Sequence, residues 1–267
     1  MLALKVKMLF RMNILLTNDD GIYAEGLWAL EAALRGRHAV TVVAPDRERT
    51  AVSHGITLHQ PLRASPLAVN GGCEGYAVNG TPADCVKLGV LEILSQPPDL
   101  VVSGLNPGAN VGVNINYSGT VAAAREAALA GIPAIAASIE TGAMYAYAAA
   151  AGFIAHLAEA IARRGLTPRT FLNVNFPNAS WQDIAGVRIS RHGLALFKDY
   201  VEKRIDPRQR TYYWQGADRQ VFDDDPEIDG AALRRRFISI TPIQCDMTDY
   251  ASLNELRQWD LDWRGRS

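Results

Sequence analysis

Apolar residues along the chain fall into short continuous runs separated by amphipathic stretches. NILLT (13–17) reads as a buried strand. AEGLWALEAALRG (24–36) sets Leu27, Leu30 and Leu34 at helical spacing and stops on a glycine, and HAVTVVAP (38–45) reads as the next strand. The pattern recurs. TPADCVKLGVLEIL (81–94) predicts a helix capped by Thr81, with Pro82 in its first turn and Asp84 facing its N-terminus. DLVVSG (99–104), IPAIAAS (132–138) and FLNVNFP (171–177) predict strands. TVAAAREAALAG (120–131) and the alanine-rich stretch 144–165 predict helices. Strand and helix in alternation imply an α/β fold: a mostly parallel sheet with helices on both faces.

After about residue 190 the pattern changes. Residues 191–216 are charged and aromatic, with Tyr212, Tyr213 and Trp214 in a row, and FISITPI (237–243) alternates as a strand does. The expected organisation is an α/β core over 12–190 and a C-terminal antiparallel hairpin appendage over 191–267. The hairpins pack either on another subunit or back on their own domain.

Composition narrows the function classes. The 267 residues carry 27 Lys+Arg against 28 Asp+Glu, a formal net charge of -1, so no basic field draws the chain to nucleic acid or to an anionic membrane. A small-molecule partner is expected. Cys73, Cys85 and Cys245 have neither disulfide nor zinc spacing, which fits a reducing cytoplasm. The apolar N-terminus is broken by Lys5, Lys7 and Arg11 and lacks a cleavage site, so it reads as neither signal peptide nor membrane span. Met1, Met8 and Met12 are all candidate starts.

In open α/β sheets ligands sit beyond the carboxyl ends of strands. Four polar clusters follow strands here: TNDDG (17–21), APDRERTAVSHG (44–55), SGLNPGANVGVNINYSGT (103–120) and SIETG (138–142). Asp19 and Asp20 reach one point only if the chain leaves strand geometry, which Gly21 permits. Two close carboxylates repel unless a cation keeps both ionised, and a hard divalent ion, Mg²⁺ or Mn²⁺, suits oxygen donors. The plainer alternative is that one aspartate caps the following helix and the other is solvated. In the third cluster, Gly104, Gly108, Gly112 and Gly119 alternate with Asn106, Asn110, Asn114 and Asn116. YSGT then opens an apolar helix, where main-chain N–H groups and the hydroxyls of Ser118 and Thr120 suit a phosphate. Neither a Walker A sequence nor G-x-G-x-x-G is present.

ILLTNDDG, VVAPDRERT, VSGLNPGANVG followed by YSGTVAAAREAALAGIPAIAAS, and late ISITPI, in this order over residues 12 to 245, resemble the SurE (survival protein E) family of metal-dependent nucleotidases. The resemblance implies a Rossmann-like core and one divalent metal ion. It also implies hydrolysis of nucleoside monophosphates, in some members of short polyphosphate, and homodimers or homotetramers joined through a C-terminal hairpin. By position it assigns the metal to Asp19, Asp20, Thr50 and Asn106, with Asp19 and Asp20 catalytic, and the substrate to Asn110, Ser118, Gly119 and Thr120. Thr50 stands where the family usually has serine. Attack by a water activated at the metal and attack by Asp19 through an aspartyl phosphate both remain open. Other-class readings are a non-catalytic metal-dependent nucleotide-binding protein and a nucleotide-sugar transferase. Base preference, 5′ against 3′ choice and the physiological metal are not legible.

Elsewhere, His54 reads as a proton shuttle or a solvated loop residue, and His192 and Arg234–Arg236 as surface. TPAD reads as a helix cap with Asn79 and Gly80 at the pocket edge, and Cys85 as buried and inert.

Overall fold

The structure is a computed structural model that describes residues 11–69, 73–142, 145–194, 199–217, 225–259 and 261. Of the candidate starts, Met1 and Met8 lie outside the described residues, as does Met144 at the expected head of the long helix; Met12 is buried beside the first strand.

Among the described residues nine strands form the main sheet: β1 (Asn13–Thr17), β2 (Ala39–Pro45), β3 (Ala64–Val69), β4 (Cys73–Val78), β5 (Leu100–Pro107), β6 (Ala134–Ile139), β7 (Thr170–Phe176), β8 (Gly186–Ile189) and β11 (Phe237–Gln244). Their order is β3-β4-β2-β1-β5-β6-β7-β11-β8. The strands from β4 to β7 run parallel, β3 is antiparallel at one edge, and β11 is antiparallel to β7. Helices α1 (Glu25–Arg35) and α4 (Tyr147–Arg164) cover one face, where Leu27, Leu30, Leu34 and Ile154 meet Ile14, Leu16 and Val102. Helices α2 (Pro82–Leu88) and α3 (Gly119–Leu129) cover the other, packing Cys85, Val86, Val121 and Ala124 on Leu15, Val43 and Val101. Strands buried on both faces explain why β1, β5 and β6 read as unbroken apolar runs.

Several elements depart from the sequence expectation. The helix expected over 81–94 is α-helical only to Leu88 and continues as a π-helical turn over Gly89–Ile93. The pair β3 and β4 carries no strong apolar period, because β3 is an exposed edge strand; Pro66 sits in it, which an edge tolerates. Strand β11 lies inside the main sheet, so the division at 190/191 is crossed by a core strand whose Ile238 and Ile240 are buried. What stands apart is the hairpin of β9 (Asp199–Ile205) and β10 (Thr211–Ala217), a separate two-stranded antiparallel sheet. Helices α5 (Asp229–Arg234) and α6 (Tyr250–Leu256) complete the described chain.

Strand β1 has β2 on one side and β5 on the other. The strand order reverses there, and the loops after β1, β2 and β5 meet at the crevice this opens.

Candidate active site

The turn after β1 brings the two aspartates to that crevice. Asn18 is fully buried and brackets the turn: its Nδ2 donates to Gly21 O at 2.9 Å, and Gly21 N–H donates to its Oδ1 at 3.2 Å. Gly21 has φ +100°, and a Cβ there would stand 3.0 Å from the main chain of Arg47, so the turn requires glycine.

Asp19 is 5% exposed and lies against the start of α3. Thr120 donates its hydroxyl hydrogen to Asp19 Oδ1. A Cβ on Gly119 would come within 2.7 Å of Asp19 Cβ, so the glycine is what lets the aspartate approach the helix. Burial raises the Asp19 carboxyl above its ordinary range; the Thr120 hydroxyl and the main-chain N–H groups of Gly119 and Thr120 pull the other way. Asp20 is pushed up to about 7 by burial, then by the charges of Asp19 and Glu48. Its Oδ2 is buried without a hydrogen-bond partner. Neither aspartate caps α1, whose N-cap is Ala24, without a side-chain bond.

The loop after β2 closes over this turn. Arg49 N–H donates to Asp19 O at 2.7 Å, and its guanidinium reaches Asn79 O at 2.8 Å, which sets Asn79 at the edge of the loop. Thr50 is exposed and donates its hydroxyl to Glu48 Oε1. Ser53 donates through N–H to Tyr117 O at 3.0 Å and through Oγ to Asn116 O at 2.6 Å, tying this loop to the one before α3.

The loop after β5 supplies the third side. Asn106 stands where the β5–β6 register shifts, and its amide nitrogen donates to Gly108 O at 2.5 Å. Asn110 is a framework residue: its N–H donates to Asn175 Oδ1 at 2.8 Å, its amide to Ser138 Oγ at 2.8 Å, and its carbonyl accepts from Asn173 and Asn175. Ser118 is the N-cap of α3, accepting from Val121 N–H at 3.1 Å, and Thr120 is fully buried against Asp19. The helix start expected to face phosphate therefore also holds a carboxylate.

Two histidines differ from expectation. His54 is neither solvated nor turned to the aspartates: its Nε2 lies 2.7 Å from Glu126 Oε2, and Lys87 binds the other oxygen of Glu126 at 2.7 Å. The salt-bridging partners sit on helices the local sequence around His54 does not reveal. His192 is half-buried, with Nε2 2.7 Å from Gly112 O, rather than at the surface. Arg234–Arg236 are exposed. The Thr81–Asp84 capping box forms, and Asp84 also accepts from Thr57 N–H at 2.9 Å and Thr57 Oγ1 at 2.6 Å. Cys85 is fully buried and burial holds its thiol well above the usual range, so it is inert.

Sequence reasoning did not single out Asn18, Glu48, Tyr147 or Asp229. Only Asn18, beside the aspartates, had a local signal. Burial, and after it the charge of Asp20, pushes the hydroxyl of Tyr147 at the start of α4 up to about 12, and its ring stacks on Tyr145 at 5.3 Å.

Among the described residues no group of three or more His, Cys, Asp or Glu assembles as a metal-ligand set. The donors here are two carboxylates, with the Thr120 hydroxyl bonded to one of them. An orphaned, buried carboxylate oxygen on Asp20 next to a second carboxylate suits a hard divalent ion in an all-oxygen environment.

Residues 14–199 match the family model for survival protein SurE. The chain is 56% identical over 251 residues to the 5′-nucleotidase SurE of Desulfatibacillum aliphaticivorans, covering 94% of this chain and 99% of that protein. It is 50% identical over 251 residues to the 5′-nucleotidase SurE of Geobacter sulfurreducens, covering 94% of both. The crystal structure of the SurE protein from Aquifex aeolicus superposes with a TM-score of 0.80 at 36% identity, over 92% of this chain and 98% of that one.

Proposed function

The chain belongs to the SurE survival-protein family, and on that premise we propose that it is a divalent-metal-dependent phosphatase hydrolysing nucleoside monophosphates to nucleoside and phosphate. The observation that carries the reading is the Asp19–Asp20 pair at the topological switch point beside the start of α3: Asp19 is buried, and Asp20 is half-buried with its Oδ2 buried and without a protein partner. Such a pair needs a cation to stay ionised, and the adjoining helix start favours an anion.

In this reading Asp19, Asp20, Asn106 and Thr50 hold one Mg²⁺ or Mn²⁺. The bound ion supplies charge neutralisation for the phosphoryl oxygens. The chain's own residues do the rest. Thr120 fixes Asp19 in place, and the positive end of α3 stabilises that carboxylate in its ionised form. The Ser118 hydroxyl accepts from Val121 N–H and keeps its own hydrogen for a phosphoryl oxygen, with Gly119 leaving room beside it. Asn110 acts on substrate through the loop it anchors. A site built around a phosphoryl group and a cation extends to 3′-esters and to short polyphosphate.

The hairpin exposes Val201, Tyr213 and Trp214, which supports assembly into a homodimer or homotetramer through it. A cytoplasmic location with neither membrane nor nucleic acid as partner belongs to the same reading and rests on the near-neutral charge and the scattered cysteines; among the described residues no helix is long and apolar enough to cross a membrane.

Release of inorganic phosphate from 5′-AMP, 3′-AMP and tripolyphosphate, with Mg²⁺ or Mn²⁺ and with EDTA, tests the reading. Metal-dependent release that EDTA abolishes is expected. Binding of 5′-AMP without any release would leave a nucleotide-binding protein instead.

A further inference from the structure

Gly112 is gripped on both of its peptide units. Its N–H donates to Asp229 Oδ2 at 3.0 Å, and its carbonyl accepts from His192 Nε2 at 2.7 Å. Asp229 is fully buried, and its other oxygen accepts the N–H of Gly230 at 2.8 Å and of Gly193 at 3.2 Å. Three main-chain donors thus converge on one carboxylate.

The gripping residues belong to the base of the segment that carries the hairpin. Arg191 N–H donates to Glu227 O at 2.8 Å, Asp229 N–H donates to Arg191 O at 3.0 Å, and the Arg191 guanidinium pairs with Asp225 at 2.6 Å. The chain leaves for the hairpin and returns from it at this knot. The gripped residue lies between Asn106 and Ser118, where the loop turns into a 3₁₀ segment over Gly112–Asn116. Gly112 has φ +54°, a left-handed conformation that nothing in its own side chain enforces. The first half of the loop is pinned separately, through Asn110 on Asn173, Asn175 and Ser138. The second half is held at two points: Ser53 ties its far end through Asn116 O and Tyr117 O, and the grip on Gly112 fixes its near end, where the 3₁₀ segment leading to the Ser118 cap begins.

We propose that His192 and Asp229 are positioning residues for phosphate hydrolysis: together they hold Gly112, and through it they set the start of the half-loop that leads to Ser118. The proposal deepens the nucleotidase reading and rests on it. Neither residue touches the reacting atoms. Losing the grip leaves the Asn110 anchor and the sheet intact, so the expected effect falls on ligand binding more than on folding.

The test uses the full chain with His192→Ala, His192→Gln and Asp229→Asn. Glutamine still presents an N–H to the Gly112 carbonyl; asparagine keeps one oxygen for Gly193 and Gly230 but turns an N–H₂ toward the Gly112 N–H. Mn²⁺ binding is measured by calorimetry in inorganic phosphate, beside thermal melts of the metal-free proteins and kcat and KM for 5′-AMP. Expected are about tenfold weaker Mn²⁺ binding and a raised KM for His192→Ala and Asp229→Asn, near-unchanged melting for His192→Ala, and recovery by His192→Gln. Wild-type binding and KM in both His192→Ala and Asp229→Asn would overturn the proposal. So would losses in all three variants that simply track lost thermal stability. Wild type that binds Mn²⁺ but releases no phosphate would overturn the nucleotidase reading, and the binding comparison would still decide the grip on Gly112.

Discussion

Thr120 donates its hydroxyl hydrogen to Asp19, joining the first turn of α3 to the end of β1 across 101 positions of sequence. The residue expected to grip phosphate and the residue expected to hold the metal are thereby one hydrogen-bonded unit. The Thr120 hydroxyl opposes the desolvation that raises the Asp19 carboxyl, so it favours the ionised form that a cation needs.

Replacing Thr120 separates these roles. Thr120→Val keeps the shape but leaves a buried carboxylate oxygen short of a donor, which costs about 1–3 kcal/mol of stability. Activity should fall about 10–100-fold, the usual range when the partner of a metal ligand is removed. Thr120→Ser, which restores the donor, should recover most of both in melts and phosphate-release assays. Equal activity for Thr120→Val and wild type would show that Asp19 needs no support from α3.

Thr50 is exposed and bonded to Glu48, so its hydroxyl is reoriented easily. If it joins the metal, Thr50→Ser should keep activity while Thr50→Val raises the metal concentration for half-activation. Identical metal titrations for Thr50→Val and wild type would remove Thr50 from the site.

The hairpin β9–β10 forms its own two-stranded sheet with Tyr213 and Trp214 more than half exposed. An isolated hairpin of this kind is marginal in water, so a second copy of the chain should cover it. Light scattering at micromolar concentration should report a dimer or tetramer, and Trp214→Glu should shift it toward smaller species. A wild-type monomer would contradict this.

The parallel core was legible because strands buried on both faces are written as continuous apolar runs, and because the turn chemistry of TNDDG and the Ser118 cap is local. β3 was not legible, since an edge strand with exposed residues and Pro66 carries no apolar period. The partners of His54, His192 and Gly112 were not legible for another reason: each bond spans 72 or more positions, and only the tertiary fold brings Glu126 to His54 or Asp229 to Gly112. Asp20 beside Glu48 is the same case, a charge contact made by two loops that follow different strands.

Asp84 offers a pH test away from the site. Hydrogen bonds from Thr57 and Thr81 outweigh burial and hold its carboxyl below the ordinary aspartate value of 3.8. A group with a depressed folded pKa contributes stability that is present above its unfolded value and lost as pH falls through the folded one. Wild type should therefore exceed Asp84→Asn in stability by a constant margin from neutrality down to about pH 4, and the margin should shrink below that. A margin that stays flat down to the acid transition would show that the ionised form is not what Thr57 and Thr81 favour.

Asp19→Asn and Asp20→Asn test why two acidic side chains stand together. Each keeps the size and one oxygen but deletes a charge, so folding should survive while phosphate release falls by orders of magnitude. Removing one of two repelling carboxylates should relieve the metal-free protein. For Asp20 the folded value of about 7 lies above the ordinary 3.8, so its unfavourable contribution is absent below the lower value and complete above the higher one. Metal-free Asp20→Asn should then melt with wild type in acid and above it at mildly alkaline pH. Added Mg²⁺ or Mn²⁺ should raise the melting temperature of wild type and barely move either variant, because only binding to the native state stabilises it. Thermal melts across pH, with and without metal, beside phosphate-release assays, separate the possibilities. An active variant with wild-type metal dependence would mean that its aspartate holds no metal, and that the pair is kept for the packing of the turn against α3.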